Sequence, residues 1–318
     1  MGNALVDILM MLKSDDLLHH LRLPKGSMQL IDEAKMREIQ EATIILNQHV
    51  ATGGSVSNTI SGLARLGVYV GFIGKIGNDS IGNFFKVDSF ENGVLTHLLG
   101  SHLPSGRCHV LISPDSERTM CTYLGAASDL HPADLYPHMF SDFDILHIEC
   151  YLVENRELML RTAQMAKAAN LKISLDLASY NVVEANLEFL RDFVKDYVDI
   201  VFANAEEAFA FTGKRDKEAV AEIASMCDIA AVKLGKRGSF IQSGDEFHTI
   251  AAAKVNCIDS TSAGDLYAAG FLYGYARSLS LDKCAKIGTI CAGHVIQTIG
   301  AKIDDRTWKS INAIVSNF

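Results

Sequence analysis

Asp259-Ser260-Thr261-Ser262-Ala263-Gly264-Asp265 is a loop of small residues that ends in an acid. It runs straight into a helical pattern, with Leu266, Ala269, Leu272 or Tyr273 and Ala276 recurring at helical spacing. A chain entering a helix leaves backbone N–H groups without intrahelical partners, and the helix dipole adds about half a positive charge there. Such a place holds phosphate. A carboxylate beside it does not bind the anion. Asp265 instead suits a proton acceptor, placed where a hydroxyl attacks a phosphoryl group, with the N–H groups of Ser262, Ala263, Gly264 and Asp265 as the anion hole. An aspartate in a first turn also simply offsets the dipole, so the loop has to be weighed with the rest of the chain.

Other residues gather around this chemistry. Gly53 and Gly54 precede a helical pattern that carries Asn58, and Asp7 lies near the start of the chain. A carboxylate accepts hydrogen bonds from two neighbouring hydroxyls, and paired glycines let a ring approach the backbone, so Asp7, Gly53, Gly54 and Asn58 form a candidate substrate grip. A turn before a helix accounts equally for the glycines. Asn204 followed by Glu207 has the spacing of a capping box variant. Walker A spacing is absent, as is a Gly-x-Gly-x-x-Gly opening a helix after the first strand, which removes support for a nicotinamide-dependent dehydrogenase.

The elements that must position these residues alternate. Residues 144–148, 171–177, 198–202 and 229–234 read as buried strands, with a helix over 157–169 and another beginning near Ala205. Repeated βαβ units imply an α/β fold with a central, mostly parallel sheet flanked by helices. Ligands of such sheets lie outside the carboxyl ends of the strands. Glu149, Asn204 and Gly235 each follow a strand pattern and so crowd that edge; Glu149 is a candidate substrate contact there. Residues of about 8–33 and 101–127 break the rhythm and read as short strands joined by turns, with a hairpin of 107–113 and 119–124 around Pro114 to Glu117.

The ordered set of motifs resembles the ribokinase-like (PfkB) family of carbohydrate and nucleoside kinases. Residues 259–265 are similar to its C-terminal Asp-Thr-x-Gly-Ala-Gly-Asp. Residues 53–58 with Leu63 to Gly67, and Phe72 to Gly82, resemble its N-terminal glycine motifs. Gly2-Asn3 with Asp7, Glu117 to Thr119 with Gly125-Ala126, Asn204 with Glu207, and Gly235 with Gly238 follow in order. Lys25 to Gln29 and Gly54 to Asn58 look most like the adenosine-kinase-like branch. The resemblance implies one kinase domain over residues 1–318, with a small discontinuous β lid formed by 8–33 and 101–127. It implies ATP and Mg²⁺, the metal held through water by Asn204 and Glu207, and a K⁺ loop around Asp259, Thr261 and residues 296–301. It also implies that Gly235 and Gly238 let the nucleotide lie close to backbone, that His294 borders the adenine or is structural, and that the lid serves as a homodimer interface in several members. The expected reaction is ATP-dependent phosphorylation of a hydroxymethyl group on an adenosine-like nucleoside or a sugar. A ribose- or fructose-type kinase, or a non-catalytic binder of the same ligands, is the alternative. Two departures stand out: Ser262 replaces the family's glycine, and Met1-Gly2-Asn3 leaves no residues for the strand that leads into the Gly-Asn motif. If Ser262 needs a positive φ, it carries about 1–2 kcal/mol of strain.

Composition sets the outer bounds. The chain has 318 residues, 48% of them apolar, room for one large α/β domain and a small appendage. A net charge of −9 argues against nucleic-acid or anionic-membrane partners. Seven cysteines, with no Cys-x-x-Cys pair, read as buried free thiols in a reducing cytoplasm. No run approaches the ~18 apolar residues of a membrane span.

Overall fold

Four short runs of nearly continuous apolar residues become parallel strands buried on both faces, as expected of a sheet covered by helices. The computed structural model describes residues 1–318 apart from Ser116, Ile299 and Ala301. Strands β8 (Ile145–Glu149), β9 (Lys172–Asp176), β10 (Ile200–Asn204) and β11 (Ile229–Lys233) are parallel neighbours, and β12 (Ser239–Ser243) and β13 (Glu246–Ile250) extend the sheet antiparallel. Alternate residues face opposite ways: Ile200 and Phe202 enter one apolar cluster, Val201 and Ala203 the other. A parallel pair, β4 (Val70–Gly77) with β5 (Val94–Ser101), stands apart. The first residues of the chain bridge the two sheets. Gly2 N–H donates to Ile73 O at 3.3 Å, and the buried Met1 amino group donates to His147 O at 2.6 Å.

Helices α3 (Ser55–Arg65), α10 (Ala263–Ala276), α11 (Leu281–Val295) and α12 (Asp305–Val315) contribute to the first cluster. Helices α5 (Arg156–Ala168), α7 (Leu187–Tyr197), α8 (Ala205–Thr212) and α9 (Asp216–Ala224) contribute to the second, with the short α6 (Tyr180–Ala185) against α8. Helix α4 (Ser80–Glu91) packs on β5.

The small sheet differs from the outline expected of a lid. It is a five-stranded sheet in the order β2 (Met28–Leu30), β7 (Arg118–Tyr123), β6 (Gly106–Ile112), β1 (Leu5–Met11), β3 (Gln48–Gly53). The sheet starts at Leu5 rather than near residue 8 and recruits 48–53, a segment too mixed in polarity to read as a strand. Within 8–33 the chain is also helical, in α1 (Asp16–His20), and α2 (Glu33–Ala42) follows. Both supply apolar cover for one lid face, through Leu18 and Ile39 among others. The other face presents Leu9, Cys108, Val110, Ile112 and Met120. The expected hairpin of 107–124 forms as β6 and β7. At the lid's root, Asp79 caps α4 through Gly82 N (2.8 Å) and accepts from Ser105 N (2.9 Å), Ser105 Oγ (2.6 Å) and Arg107 Nη2 (3.0 Å). The Gly74 to Gly82 motif thus ties the start of α4 to the start of β6. All seven cysteines are free, but Cys257 is exposed rather than buried and Cys227 half-buried. Among the described residues no helix is long and apolar enough to cross a membrane.

Candidate active site

Small residues let α10 lie close to α3. A Cβ on Gly62 of α3 would come within 2.9 Å of both Ala269 Cβ and Leu266 Cδ1. That closeness sets Asp265, in the first turn of α10, against the first turn of α3. The Ser55 hydroxyl donates to Asp265 Oδ1 at 2.8 Å, and Asn58 Nδ2 donates to Oδ2 at 2.9 Å and to Ser262 Oγ at 3.0 Å. Thr59 Oγ1 donates to the Asp265 carbonyl at 3.1 Å. The carboxylate is thereby oriented and retains lone pairs beyond those two bonds. Burial pushes its pKa up to about 6, against the Asn58 and Ser55 hydrogen bonds that favour the charged form.

Ser262 takes φ 63° and ψ 7°, the left-handed conformation expected if it replaces a glycine. The anion hole is narrower than the four amides expected, because Ala263 N–H donates to Ser260 O at 3.2 Å. The N–H groups of Ser262, Gly264 and Asp265 keep no protein partner among the described residues.

Asp7, on β1, pairs in register with Ala51 and Cys108 and turns its carboxylate toward Gly53, where any Cβ would overlap it. Gly54 has φ 92°, and a Cβ there would press on the Asn3 carbonyl, so the turn requires glycine. Burial, then the charge of Asp265, raises the Asp7 pKa to about 7. A crevice beside the five-stranded sheet is lined by Asp7, Leu9, Ala51, Val110, Met120 and Thr261, together with His49, Arg118 and Lys302. Sequence reasoning thus brings Asp7, Gly53, Gly54, Asn58, Ser262 and Asp265 together.

Glu149 does not join them. It is 1% exposed, and its oxygens accept from Asn3 N (2.8 Å), Asn3 Nδ2 (2.7 Å) and Val56 N (3.1 Å). It clamps the chain's start to α3, and no oxygen faces the crevice as expected for a substrate contact. Asn204 and Glu207 do form a capping box: Asn204 Oδ1 accepts from Glu206 N and Glu207 N, both at 2.9 Å, and Glu207 accepts from Asn204 N (2.7 Å) and Nδ2 (2.6 Å). Gly238, at φ 92°, is required by the hairpin, since a Cβ would overlap the Ile250 carbonyl; Gly235 opens to free space. His294, at the end of α11, is half-buried, and burial lowers its pKa.

The donor set decides what cations fit. Among the described residues no group of three or more His, Cys, Asp or Glu side chains is arranged to hold a metal directly. Yet Glu207 is buried and faces Lys233 as well as Asp176 and Asp265; three carboxylates against one ammonium leave negative charge that fits a cation keeping its water shell, as Mg²⁺ does. The expected K⁺ loop fits less well. Ile299 and Ala301 lie outside the described residues. The Asp259 carboxylate is already taken by Thr261 N (3.0 Å), Gly300 N (2.7 Å) and the Arg118 guanidinium (2.7 Å).

Sequence reasoning missed four residues. Ser55 sits one turn before Asn58. Arg118, in the quoted Glu117 to Thr119 motif, crosses from β7 to Asp259 and, at 3.3 Å, to Thr261 Oγ1. Asp176 and Lys233 end β9 and β11 beside Glu149 and Asn204 and pair at 3.1 Å. The strand-end rule that selected Glu149 and Asn204 would have selected them too.

A two-faced α/β sheet beside a smaller β-sheet, with a buried carboxylate at a helix N-terminus bearing free amides, suits phosphoryl transfer to an alcohol group. A family model described as "pfkB family carbohydrate kinase" matches residues 28–308. The chain belongs to the PfkB family of carbohydrate kinases. A probable sugar kinase from Rhizobium etli superposes with a TM-score of 0.88 at 33% identity, covering 98% of this chain and 96% of that one. The adenosine kinase from Sinorhizobium meliloti superposes with a TM-score of 0.88 at 32% identity, covering 98% and 97%. A ribokinase of Haemophilus influenzae is 27% identical over 268 residues, 80% of this chain and 84% of its own.

Proposed function

We propose that the chain transfers the terminal phosphoryl group of ATP to a hydroxymethyl group of an adenosine-like nucleoside, with Asp265 as general base. The observation that carries this is the Asp265 carboxylate fixed by Ser55 and Asn58 beside the unpartnered Gly264 and Asp265 amides. The acceptor hydroxyl gives its proton to Asp265 as its oxygen bonds phosphorus. Asp7, raised in pKa next to Asp265, accepts from a vicinal diol. Arg118, paired with Asp259, ties the lid to the loop before α10 as the lid excludes water. Mg²⁺, when bound through water by Asn204 and Glu207, neutralises phosphate charge.

The lid face favours a nucleoside over a polyol. Leu9, Ala51, Val110 and Met120 offer apolar surface to a flat base, and Asp7 accepts from one diol. A polyhydroxylated sugar would leave hydroxyls against that surface without partners, at a cost of about 1–3 kcal/mol each. A dimer through the lid has two open edges available, β2 and β3. The test is ADP release by the purified protein against a panel of nucleosides and sugars with Mg²⁺. Turnover highest with adenosine is expected; sugars turned over with nucleosides inert would transfer the site to a sugar acceptor.

A further inference from the structure

Lys233 is the last residue of β11, in register with Asn204. Its Nζ lies 3.1 Å from Asp176 Oδ2, and a Cβ built on Gly264 would lie 3.0 Å from that nitrogen. The ammonium therefore stands against the turn of α10 whose Gly264 and Asp265 amides have no protein partner. The side chain is 16% exposed. Three carboxylates face it from three elements: Asp176 from β9, Glu207 from α8 and Asp265 from α10. Burial alone would lower its pKa, but their charges outweigh burial and raise it. Among the described residues no other lysine or arginine is ion-paired with any of the three. Burying an ammonium is costly, and one partner, Asp176, would suffice if the need were structural. The side chain instead lies at the anion hole, where a negatively charged ligand has to sit.

We propose that Lys233 is the fixed cation of the phosphoryl-transfer site, binding the transferred group together with the Gly264 and Asp265 amides. The inference rests on the kinase reading above. In the step it serves, the acceptor oxygen bonds phosphorus, its proton passes to Asp265, and the bond from phosphorus to the bridging oxygen breaks, that oxygen leaving on ADP. Lys233 gains no bond; it offsets charge spread over the oxygens of the moving group.

The experiment compares wild type, Lys233→Met, Lys233→Arg and the double variant Asp176→Asn/Lys233→Met. Each is assayed for ADP release with Mg-ATP and the best acceptor of the panel, for acceptor binding by calorimetry, and for thermal melting. Lys233→Met is expected to lower kcat by about 10²–10³-fold, with acceptor affinity kept because Asp7 and Asn58 are untouched. Lys233→Arg should recover part of the rate. The double variant, with no uncompensated carboxylate at position 176, should melt close to wild type and stay slow. Wild-type turnover by the double variant would reduce Lys233 to a counter-ion for Asp176 and overturn the proposal alone. A wild-type protein inert toward every acceptor would instead overturn the kinase reading and Lys233 with it.

Discussion

Ser262 holds the left-handed conformation at the position where the family motif has glycine, and its hydroxyl receives Asn58 Nδ2 at 3.0 Å. Two effects oppose each other. The conformation costs about 1–2 kcal/mol for a residue with a Cβ, and the bond returns about 0.5–1.5. Ser262→Gly should therefore leave turnover unchanged or raise it; a severe loss in steady-state kcat would show that the hydroxyl has a role of its own. Glu149 belongs to a different class. Three donors converge on its buried carboxylate, and Glu149→Gln would turn an amide N–H₂ toward one of them. A loss of about 1–3 kcal/mol in denaturant stability is expected, with kcat of the folded variant nearly intact. A raised acceptor KM at unchanged stability would return Glu149 to the substrate site.

Most elements were legible because their periodicity is strong. The four parallel strands fall within two residues of their expected positions, and the loop before α10 is where its small residues put it. Gln48 to Gly53 was not legible, since a lid strand takes its register from its neighbour β1 rather than from its own alternation. The partners of Glu149 were not legible for a related reason: strand-end position is local, whereas Asn3 and Val56 come from far along the chain. Lys233 and Asp176 were passed over because sequence does not reveal which strand-end side chains meet. The α8 terminus makes the two readings of Asn204 and Glu207 compatible, since a capping box leaves carboxylate lone pairs for a hydrated cation. Titrating Mg²⁺ against Glu207→Gln should show a higher metal requirement and lower turnover with acceptor binding kept. An unchanged Mg²⁺ dependence would leave the pair as a helix cap alone.

The five-stranded sheet meets the rest of the molecule at Asp79 and is bridged to the loop before α10 by Arg118 and Asp259; the proposed reading makes it a lid. An acceptor seated between Asp7 and Asp265 would add contacts to both sides, so solution scattering should show a smaller radius with acceptor than without. Identical profiles would contradict closure. Asp265 is faced by Asp176, Asp7, Glu207 and Lys233 as well as by Asn58 and Ser55. With a pKa of about 6 the carboxyl loses its ability to accept a proton as the pH falls, so kcat should decline below that value and level off above it. The direct test is Asp265→Asn, which keeps size and orientation and removes the proton acceptor. Steady-state ADP release should fall by about 10²–10⁴-fold and the acid limb should vanish, while calorimetric ATP binding stays near wild type or tightens as a negative charge leaves the phosphate site. Near-normal turnover of the folded variant would contradict the assignment of Asp265 as the base.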